Sequence, residues 1–179
     1  MPIVLPLIAL VIALALMTGL QGEMRDKILS SQAHIYVWKT GGIVNYAPEV
    51  QKLSTVPGVV GAAPVIFGKA LIVAGSTQAF ISVKAIDPSL EPSVTGVGEA
   101  MRRGSLRALA NEPEDQPPAI LLGQDLANQL HVVVGDSVML LAPQGTLSPM
   151  GMMPRQRRLR VAGIYSLGLF EFDSEYGFI

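Results

Sequence analysis

A continuous apolar run begins at the third residue of the chain. Residues 3–20 contain no charged side chain, and the first one that follows is Glu23. At a rise of about 1.5 Å per residue, a helix of about 20 residues spans the hydrocarbon core of a bilayer. We therefore predict a membrane-spanning helix. Met24 and Ile28 keep helical spacing beyond the run, which predicts that the helix continues as a rigid stalk and that both together occupy residues 1–32.

Two other interpretations of this run are a cleaved secretory signal and a buried core helix. A signal peptide carries a basic segment ahead of its apolar core, and no basic residue precedes this run. Its small-residue cleavage site would have to be residues 13–15, yet the apolar run continues beyond them. An uninterrupted apolar stretch of this length favours lipid over a protein core.

Short apolar stretches punctuated by glycine and proline follow the stalk. Residues 34–39 alternate like a β-strand, and residues 47–58 form an amphipathic pattern that predicts a short helix with a Pro-Gly stop. Glycines then divide a β-rich stretch into three predicted strands, near residues 60–67, 70–75 and 79–86. Residues 87–118 are rich in proline and predict a surface connection, with a weak helix around residues 98–103.

The clearest unit covers residues 119–143. "AILL" predicts a buried strand, and "GQDLANQL" predicts a short helix with Leu126, Ala127 and Leu130 facing inward. A turn at residues 135–136 leads into another strand.

Strand alternation resumes at residues 158–168, and residues 170–179 again contain apolar strand formers. The predicted fold class is therefore α+β. Residues 33–179 form a mixed α/β domain with one sheet, two short helices and a protruding β-hairpin loop, and the transmembrane helix and stalk carry it.

Composition excludes several classes of function. The chain has 179 residues and a net charge of −1, so its charge does not point to nucleic acid. Because it has no cysteine, disulfides, thiolate metal sites and cysteine nucleophiles are excluded. His34 and His131 lack partners at metal-ligand spacing, and the sequence has no G-x-x-x-x-G-K-[ST] phosphate loop. We expect no catalytic residue, no metal, no cofactor and no enzyme activity in this chain alone.

"LAPQGTLSPMGMMPRQRRLRV", residues 141–161, combines three residue types in an unusual way. Prolines, which resist both helix and strand ladder, stand at positions 143, 149 and 154. Methionines, which suit contact with apolar or variable surfaces, stand at positions 150, 152 and 153. Arginines follow, and strand alternation places Arg158 and Arg160 on one face and Arg155 and Arg157 on the other.

Two interpretations of this segment stay open. The methionines of a hairpin can fold back onto the core of their own domain. Alternatively, an apolar loop projects from the domain and inserts into a cavity of a partner, while the arginines at its base pair with acidic groups on the rim of that cavity.

Several stretches together resemble the lipoprotein-releasing permeases of the ABC transporter superfamily, of the LolC/LolE type. "ALALMTGLQGEMRDKILSSQAHI" is similar to the exit of their first helix, and "VPGVVGAAPVI" to the segment that follows. "AILLGQDLANQLHVVVGDSVMLL" is similar to their periplasmic core unit, which MacB-like exporters share more loosely. "SPMGMMPRQRRLRV" is the most specific piece and resembles the Hook of the LolC-type subunit, a β-hairpin loop that binds the periplasmic lipoprotein chaperone LolA. The resemblance covers essentially the entire chain.

The resemblance implies a role for each matching position. The chaperone-binding loop would comprise Pro149, Met150, Gly151, Met152, Met153 and Pro154. Gln156 and Arg157 match two residues of the neighbouring Pad, a basic patch that contacts the rim of the chaperone. The third Pad arginine of the family corresponds to Met139, a neutral residue. Arg155 or Arg158 would have to supply the missing charge.

The resemblance also implies a cellular setting and partners. The helix would cross the inner membrane of a Gram-negative bacterium, with its start on the cytoplasmic side and the domain in the periplasm. The implied partners are a separate LolD-like ATPase, a LolE-like second permease subunit or a second copy, the chaperone LolA, outer-membrane lipoproteins as cargo, and membrane lipid. ATP hydrolysis would move the helices, and the acyl chains of a lipoprotein would pass to the chaperone on the Hook.

The family carries a cytoplasmic segment before its first helix and three further transmembrane helices after the domain, and neither has a counterpart here. A truncated permease, or one piece of a split gene, is therefore expected. Two other functions stay open: a MacB-like ABC permease that exports another substrate, and a membrane-anchored periplasmic adaptor domain without a transporter.

Overall fold

The computed structural model describes residues 4–110, 116–148 and 151–179. Its first element is one unbroken helix, α1 (Val4–Ser31). Leu7–Ser31 is long and apolar enough to cross a membrane, and none of its apolar window is buried against the rest of the protein. An ion pair between Glu23 and Lys27, 3.1 Å apart and one turn from each other, supports the polar end of the helix. The predicted continuation of the membrane helix as a stalk is confirmed.

Three short helices and seven strands follow within the described ranges. The helices are α2 (Ala47–Ser54), α3 (Gln124–Leu130) and α4 (Phe170–Glu175). The strands are β1 (Val65–Ala74), β2 (Thr77–Ile86), β3 (Met101–Gly104), β4 (Ala119–Gly123), β5 (Ser137–Ser148), β6 (Gly151–Tyr165) and β7 (Tyr176–Phe178). Single turns of 3-10 helix lie at Glu91–Ser93 and Leu106–Leu109. The α+β class is confirmed.

The sheet closes on itself at β6. The strand order is β3-β6-β4-β7-β2-β1-β5, and β5 also pairs with β6. At the closure, the Arg160 N–H donates to the Pro118 carbonyl at 2.8 Å, and the Val161 N–H donates to the Asp136 carbonyl at 2.8 Å. Successive N–H groups of one strand point to opposite sides, so β6 bonds β4 on one side and β5 on the other. The six strands β6, β4, β7, β2, β1 and β5 thus form a ring, and β3 pairs with β6 outside the ring.

The main hydrophobic core lies inside the ring. Inward residues of five strands form it, among them Ile72, Ile81 and Ile120, which α3 covers with Leu126, Ala127 and Leu130. These three α3 residues are buried, as predicted. The helix begins after Gly123 and ends at His131, which adopts the left-handed conformation with φ 57° and donates its N–H to the Asn128 carbonyl.

A second core covers the outer face of the sheet. Ala119 and Leu121 of β4 join Tyr165 and Phe178 there, under the segment that contributes Val97 and Leu106. Ile120 and Leu122 of the same strand belong to the inner core. All five residues of β4 are therefore buried, which explains why "AILL" is continuously apolar instead of alternating.

A buried ion pair attaches the proline-rich connection to β2. Lys84 Nζ lies 2.8 Å from Glu91 Oε1, and Thr95 Oγ1 donates to the same oxygen at 2.9 Å. Glu91 is 1% exposed. A carboxylate can be buried at this depth only where charged or hydrogen-bonding partners replace water. The pair therefore fixes the position of residues 87–97 over the sheet.

The top of α1 is clamped to the domain. The Gly96 N–H donates to the Ser30 carbonyl at 2.8 Å, which satisfies one of the carbonyls left unpaired at the helix end. Ser31 is 3% exposed. A second loop lies beside Lys27, since a Cβ added to Gly168 would be 3.5 Å from Lys27 Nζ. Two loops of the domain thus contact the last two turns of the helix.

Two strand predictions are wrong. Residues 34–39 alternate but form no strand, although β5 pairs with only residues 71–73 of β1 and leaves the edge beside Phe67 unpaired. Tyr36 and Trp38 instead lie against Phe67, with ring centroids 5.6 and 6.5 Å apart. Residues 60–67 and 70–75 are not separate strands, since Gly68 lies within β1 opposite Val83. The chain turns only at Gly75, where φ is +56°.

Two further predictions differ from the structure. The weak helix expected at residues 98–103 is not formed: residues 98–100 are turns, and residues 101–103 belong to β3, which is held by its pairing with the end of β6. Residues 170–179 form α4 before β7, despite their strand-forming composition. The cause is tertiary: buried Asp173 accepts from the N–H groups of Leu167 and Gly168 at 2.8 and 3.0 Å. The Tyr165 hydroxyl bonds the Phe172 and Tyr176 carbonyls, each at 3.0 Å.

Replacing Glu91 with alanine should destabilise the domain strongly. The change leaves the Lys84 ammonium buried without its partner, and breaking a buried pair in this way costs about 3–5 kcal/mol. The free energy of unfolding, measured by urea titration with circular dichroism in mild detergent, checks this. Glu171→Ala, at an exposed carboxylate, is the control and should change it by less than about 0.5 kcal/mol. Equal effects of the two changes would contradict the assigned role of the pair.

Candidate docking site

The hairpin of β5 and β6 has a regular base and a separate outer part. At the base, opposite residues run from Ser137 and Arg160 to Ala142 and Arg155. The register then shifts, and pairing resumes at Thr146 opposite Met153. Pro143 and Pro154 lie at this irregularity, and a proline has no N–H to donate to a ladder. The prolines therefore mark where the base ends.

The outer part contains the predicted chaperone-binding loop. Gly151 lies opposite Ser148, and Met152 lies opposite Leu147. The backbone of Met153 and Pro154 also belongs to β6. Pro149 and Met150 lie outside the described residues, as do the side chains of residues 144–154. The direction in which the methionine side chains point stays a prediction.

The base carries a row of exposed polar side chains, which we call the arginine row: Arg155, Gln156, Arg157 and Arg158. Leu159, the next residue, is 2% exposed and pairs with Val138 in the inner core. Opposite residues of an antiparallel ladder share a face. Arg157 therefore shares the face of Leu140, and Arg158 shares the face of Met139.

The pairing of Arg158 with Met139 bears on the predicted basic patch. Met139 is the neutral residue at the position where the resemblance leads one to expect an arginine. Its opposite neighbour is Arg158, on the same face of the hairpin. Opposite residues have Cβ atoms about 4.5–5.5 Å apart, and the arginine side chain is several ångströms long. Arg158 can thus place a guanidinium near the surface that a residue at position 139 would cover.

No acidic residue lies near the arginine row in the sequence. Residues 137–170 contain four arginines and no aspartate, glutamate or lysine. Within the described ranges, the ion pairs all use lysines, and none involves a hairpin arginine. Guanidinium groups in this state can bind carboxylates in a bidentate manner.

Arg160 differs from the other hairpin arginines in a way that the sequence pattern does not predict. It is half-buried at the ring closure, and its Nε is buried without a hydrogen-bond partner among the residues that the structure describes. Its neighbours Ser137 and Ala119 belong to two different strands, β5 and β4. The alternation of charge and apolar residues continues through Arg160 without a break, so it gave no signal of this change in environment.

The described residues offer little catalytic chemistry. They contain no group of three histidine, cysteine, aspartate or glutamate side chains that could hold a metal ion. His131 is exposed and serves as the end of α3, and His34 is exposed in the segment after α1.

The class of protein follows from the fold together with a family match. Residues 3–177 match the family described as the MacB-like periplasmic core domain, so the chain belongs to that family. Together with α1, this family makes the chain an inner-membrane protein of the ABC-permease type.

Curated relatives narrow the similarity. The chain is 36% identical over 172 residues to the lipoprotein-releasing system transmembrane protein LolC of Xylella fastidiosa strain Temecula1, covering 96% of this chain and 40% of that protein. It is 30% identical over 176 residues to LolC of Neisseria meningitidis serogroup B, covering 96% and 41%. For LolE of Haemophilus influenzae the identity is 24% over 170 residues, covering 92% and 40%. The resemblance to LolC/LolE permeases is confirmed, and the chain spans about two fifths of these relatives' length.

Solved structures show a more distant similarity. The extracellular domain of the noncanonic ABC-type transporter YknZ from Gram-positive bacteria has a TM-score of 0.47 at 12% identity, covering 74% of this chain and 60% of that one. A domain of a permease protein from Porphyromonas gingivalis has a TM-score of 0.44 at 18% identity, covering 76% and 51%.

The arginine row should be dispensable for folding. Arg157→Ala removes an exposed side chain that has no ion-pair partner in the described ranges, so the free energy of unfolding should change by less than about 0.5 kcal/mol. Leu159→Ala, two positions along the same strand, removes a buried side chain and should cost about 2–5 kcal/mol. Urea titrations of both variants in mild detergent check this. A large loss from Arg157→Ala would show that this arginine supports the fold.

Proposed function

We propose that the chain is a permease subunit of an ABC transporter that releases lipoproteins from the inner membrane and passes them to the periplasmic chaperone LolA. In this proposal the β5–β6 hairpin docks the chaperone. The observation that carries it is the exposed arginine row at the base of a hairpin whose residues 137–170 contain no acid. Similarity to two LolC proteins over 96% of the chain supports it.

The docking step would use two kinds of contact. The row presents Arg155, Arg157 and Arg158 on both faces of an exposed strand, so a partner that surrounds the hairpin meets positive charge on either side. Such charge speeds encounter with an acidic rim and selects against basic partners. The methionine-rich loop would then enter an apolar cavity, where burial supplies most of the affinity.

The transporter would require further chains. Because the sequence has no phosphate loop of its own, ATP hydrolysis would belong to a separate LolD-like ATPase. A LolE-like permease subunit or a second copy would complete the membrane pathway. The domain would face the periplasm, where both the chaperone and the lipoprotein headgroup are found.

The second candidate function is a MacB-like ABC permease that exports another substrate, which the family match supports. It would keep the stalk and the closed sheet but would not bind LolA. A membrane-anchored adaptor domain is the third candidate, and it would copurify with neither LolA nor an ATPase. Capture of LolA therefore separates the first candidate from the others.

Charge reversal in the arginine row should abolish capture of the chaperone. The full chain in detergent, immobilised, should retain purified LolA, and retention should weaken as salt is raised because exposed charges are screened beyond about 8–10 Å. The double change Arg157→Glu and Arg158→Glu should remove retention. Arg107→Glu, the same reversal at an exposed arginine outside the hairpin, is the control and should retain LolA.

A second variant tests the loop itself. Met150→Glu places a charge where an apolar contact is proposed, and it should also remove retention while the unfolding transition stays unchanged. Undiminished retention with this variant would defeat the assignment of the loop. No retention by the unaltered chain would favour the MacB-like or the adaptor function.

The orientation of the domain can be measured by labelling single cysteines, since the chain has none of its own. Val44 is fully exposed after the stalk, so Val44→Cys should react with a membrane-impermeant maleimide in intact cells whose outer membrane admits the reagent. Pro2→Cys, before the helix, should react only after the inner membrane is permeabilised. The reverse pattern would place the domain in the cytoplasm.

A further inference from the structure

A cavity of about 270 Å³ lies where the top of α1 meets the sheet. Ser31 and Gln32 form its wall on the helix side. The remaining wall is mainly aromatic, from Tyr36, Trp38, Phe67, Phe172, Tyr176 and Phe178. The Phe172 and Tyr176 rings are stacked with centroids 5.0 Å apart, and Phe67 contacts both Tyr36 and Trp38. The cavity is thus a slot between two groups of rings.

The wall of the cavity is electrically neutral. Among the residues that line it, Lys84 is the charged one, and its charge is balanced by Glu91, 2.8 Å away. The Lys84 ammonium also lies 5.6 Å from the centre of the Phe178 ring. Burial and, after it, nearby carboxylates raise the pKa of the phenols of Tyr36 and Tyr176, so both stay neutral. An anionic or cationic ligand would find no unpaired opposite charge here. The lining favours an uncharged apolar group.

An exposed apolar stripe on α1 leads from the membrane segment to this cavity. We define it as Leu20, Met24 and Ile28, which follow one another at intervals of four residues and so share one side of the helix. They are 61%, 53% and 53% exposed. Ser31 and Gln32, in the cavity wall, lie three and four positions beyond Ile28 and continue that side by one turn.

The cavity lies within reach of the bilayer surface. From Leu20, where the charge-free run ends, to Ser31 the helix rises by about 16 Å, at about 1.5 Å per residue. The polar headgroup layer on each side of the hydrocarbon core is about 5–8 Å thick. The opening of the cavity is therefore about 10 Å above the headgroup layer, and the stripe covers most of the rise to it. An alkyl chain that leaves the bilayer along α1 would stay in contact with apolar side chains.

We propose that this cavity binds one acyl chain of a bilayer lipid, which reaches it along the apolar stripe. Its volume is slightly below the range of about 300–1,000 Å³ that is typical of sites for drug-sized ligands. A partner helix, about 10–12 Å in diameter, would not enter it. A single alkyl chain is narrow, uncharged and available from the adjoining membrane. The proposal goes beyond chaperone docking, because it involves none of the hairpin residues.

Trp38 makes the proposal directly measurable, because it is the chain's one tryptophan and it lines the cavity. The full chain is reconstituted in nanodiscs of phosphatidylcholine that carries bromine atoms in the middle of its acyl chains. Bromine quenches tryptophan only at short range. Brominated chains that stay in the bilayer are too deep to reach Trp38, whereas a chain in the cavity reaches it. We expect Trp38 fluorescence to be quenched relative to nanodiscs of unbrominated lipid, and unchanged fluorescence would overturn the proposal.

Two neighbouring substitutions on α1 form a matched pair. Ile28→Glu interrupts the apolar stripe and should abolish the quenching. Leu29→Glu introduces the same charge at an exposed leucine on the other side of the helix and should leave the quenching intact. Equal quenching in both variants would mean that Trp38 touches the bilayer directly, which overturns the proposal. Phe67→Ala, which removes a ring from the cavity wall without adding charge, should weaken the quenching and serves if Ile28→Glu does not fold.

The same assay separates this proposal from the proposed function. The double change Arg157→Glu and Arg158→Glu should leave the quenching unchanged even where it removes capture of LolA. Quenching without capture would support the acyl-chain cavity and reject the docking hairpin. Capture without quenching would support the docking hairpin and reject the acyl-chain cavity.

Discussion

The fold depends on the change of partner that β6 makes at Arg160. Beyond that residue β6 lies between β4 and β3, and before it β6 pairs only with β5. The two hydrogen bonds from Arg160 and Val161 to opposite sides are therefore the point at which the ring closes. They divide one strand into a buried half that holds both cores together and an outer half that extends beyond the ring. The hairpin is thus an extension of a core strand, and its base inherits the rigidity of the sheet.

This division also gives the arginine row a structural role. Between Arg155 and Arg158, one edge of β6 pairs with β5, and none of the strands in the described part of the chain pairs with the other edge. An unpaired edge is a site for unwanted strand addition, and charged side chains and prolines are the usual protection. Arg155, Arg158 and the neighbouring Pro154 meet that need. The structural role and the docking role do not compete, because protection requires only charge, whereas docking requires charge of one sign.

The parts of the fold that could be predicted are those whose causes are local. The apolar run of α1, the inward residues of α3 and the turn before β5 follow from spacing and turn chemistry alone. The incorrect predictions concern segments whose secondary structure is determined by contacts with residues distant in the sequence. Residues 34–39 have the pattern of a strand, but their rings pack against Phe67. Residues 170–175 have the composition of a strand but are held as a helix by Asp173 and Tyr165. The prediction of two strands separated at Gly68 is wrong because the sequence does not distinguish a glycine within a strand from one in a turn.

The same distinction between local and distant causes applies to the candidate site. The exposure and alternation of Arg155, Arg157 and Arg158 follow from strand periodicity, so the sequence was sufficient for them. The half-buried state of Arg160 depends on where the ring closes, and the cavity beside α1 depends on rings from three separate segments. Neither has a signal within any one stretch of sequence. The pairing of Arg158 with Met139 depends on the register between β5 and β6. That register cannot be obtained by counting residues from the turn, because the irregularity at the prolines shifts it.

The clamp between α1 and the domain has a mechanical consequence. The Gly96 N–H bonds the Ser30 carbonyl, and the next residue, Ser31, is buried, so the end of the helix is attached directly to the domain. A tilt of the helix about a fulcrum in the bilayer is therefore passed to the ring and the hairpin base through this attachment. A small tilt of the helix sweeps the outer end of the hairpin through an arc that lengthens with its distance from that fulcrum.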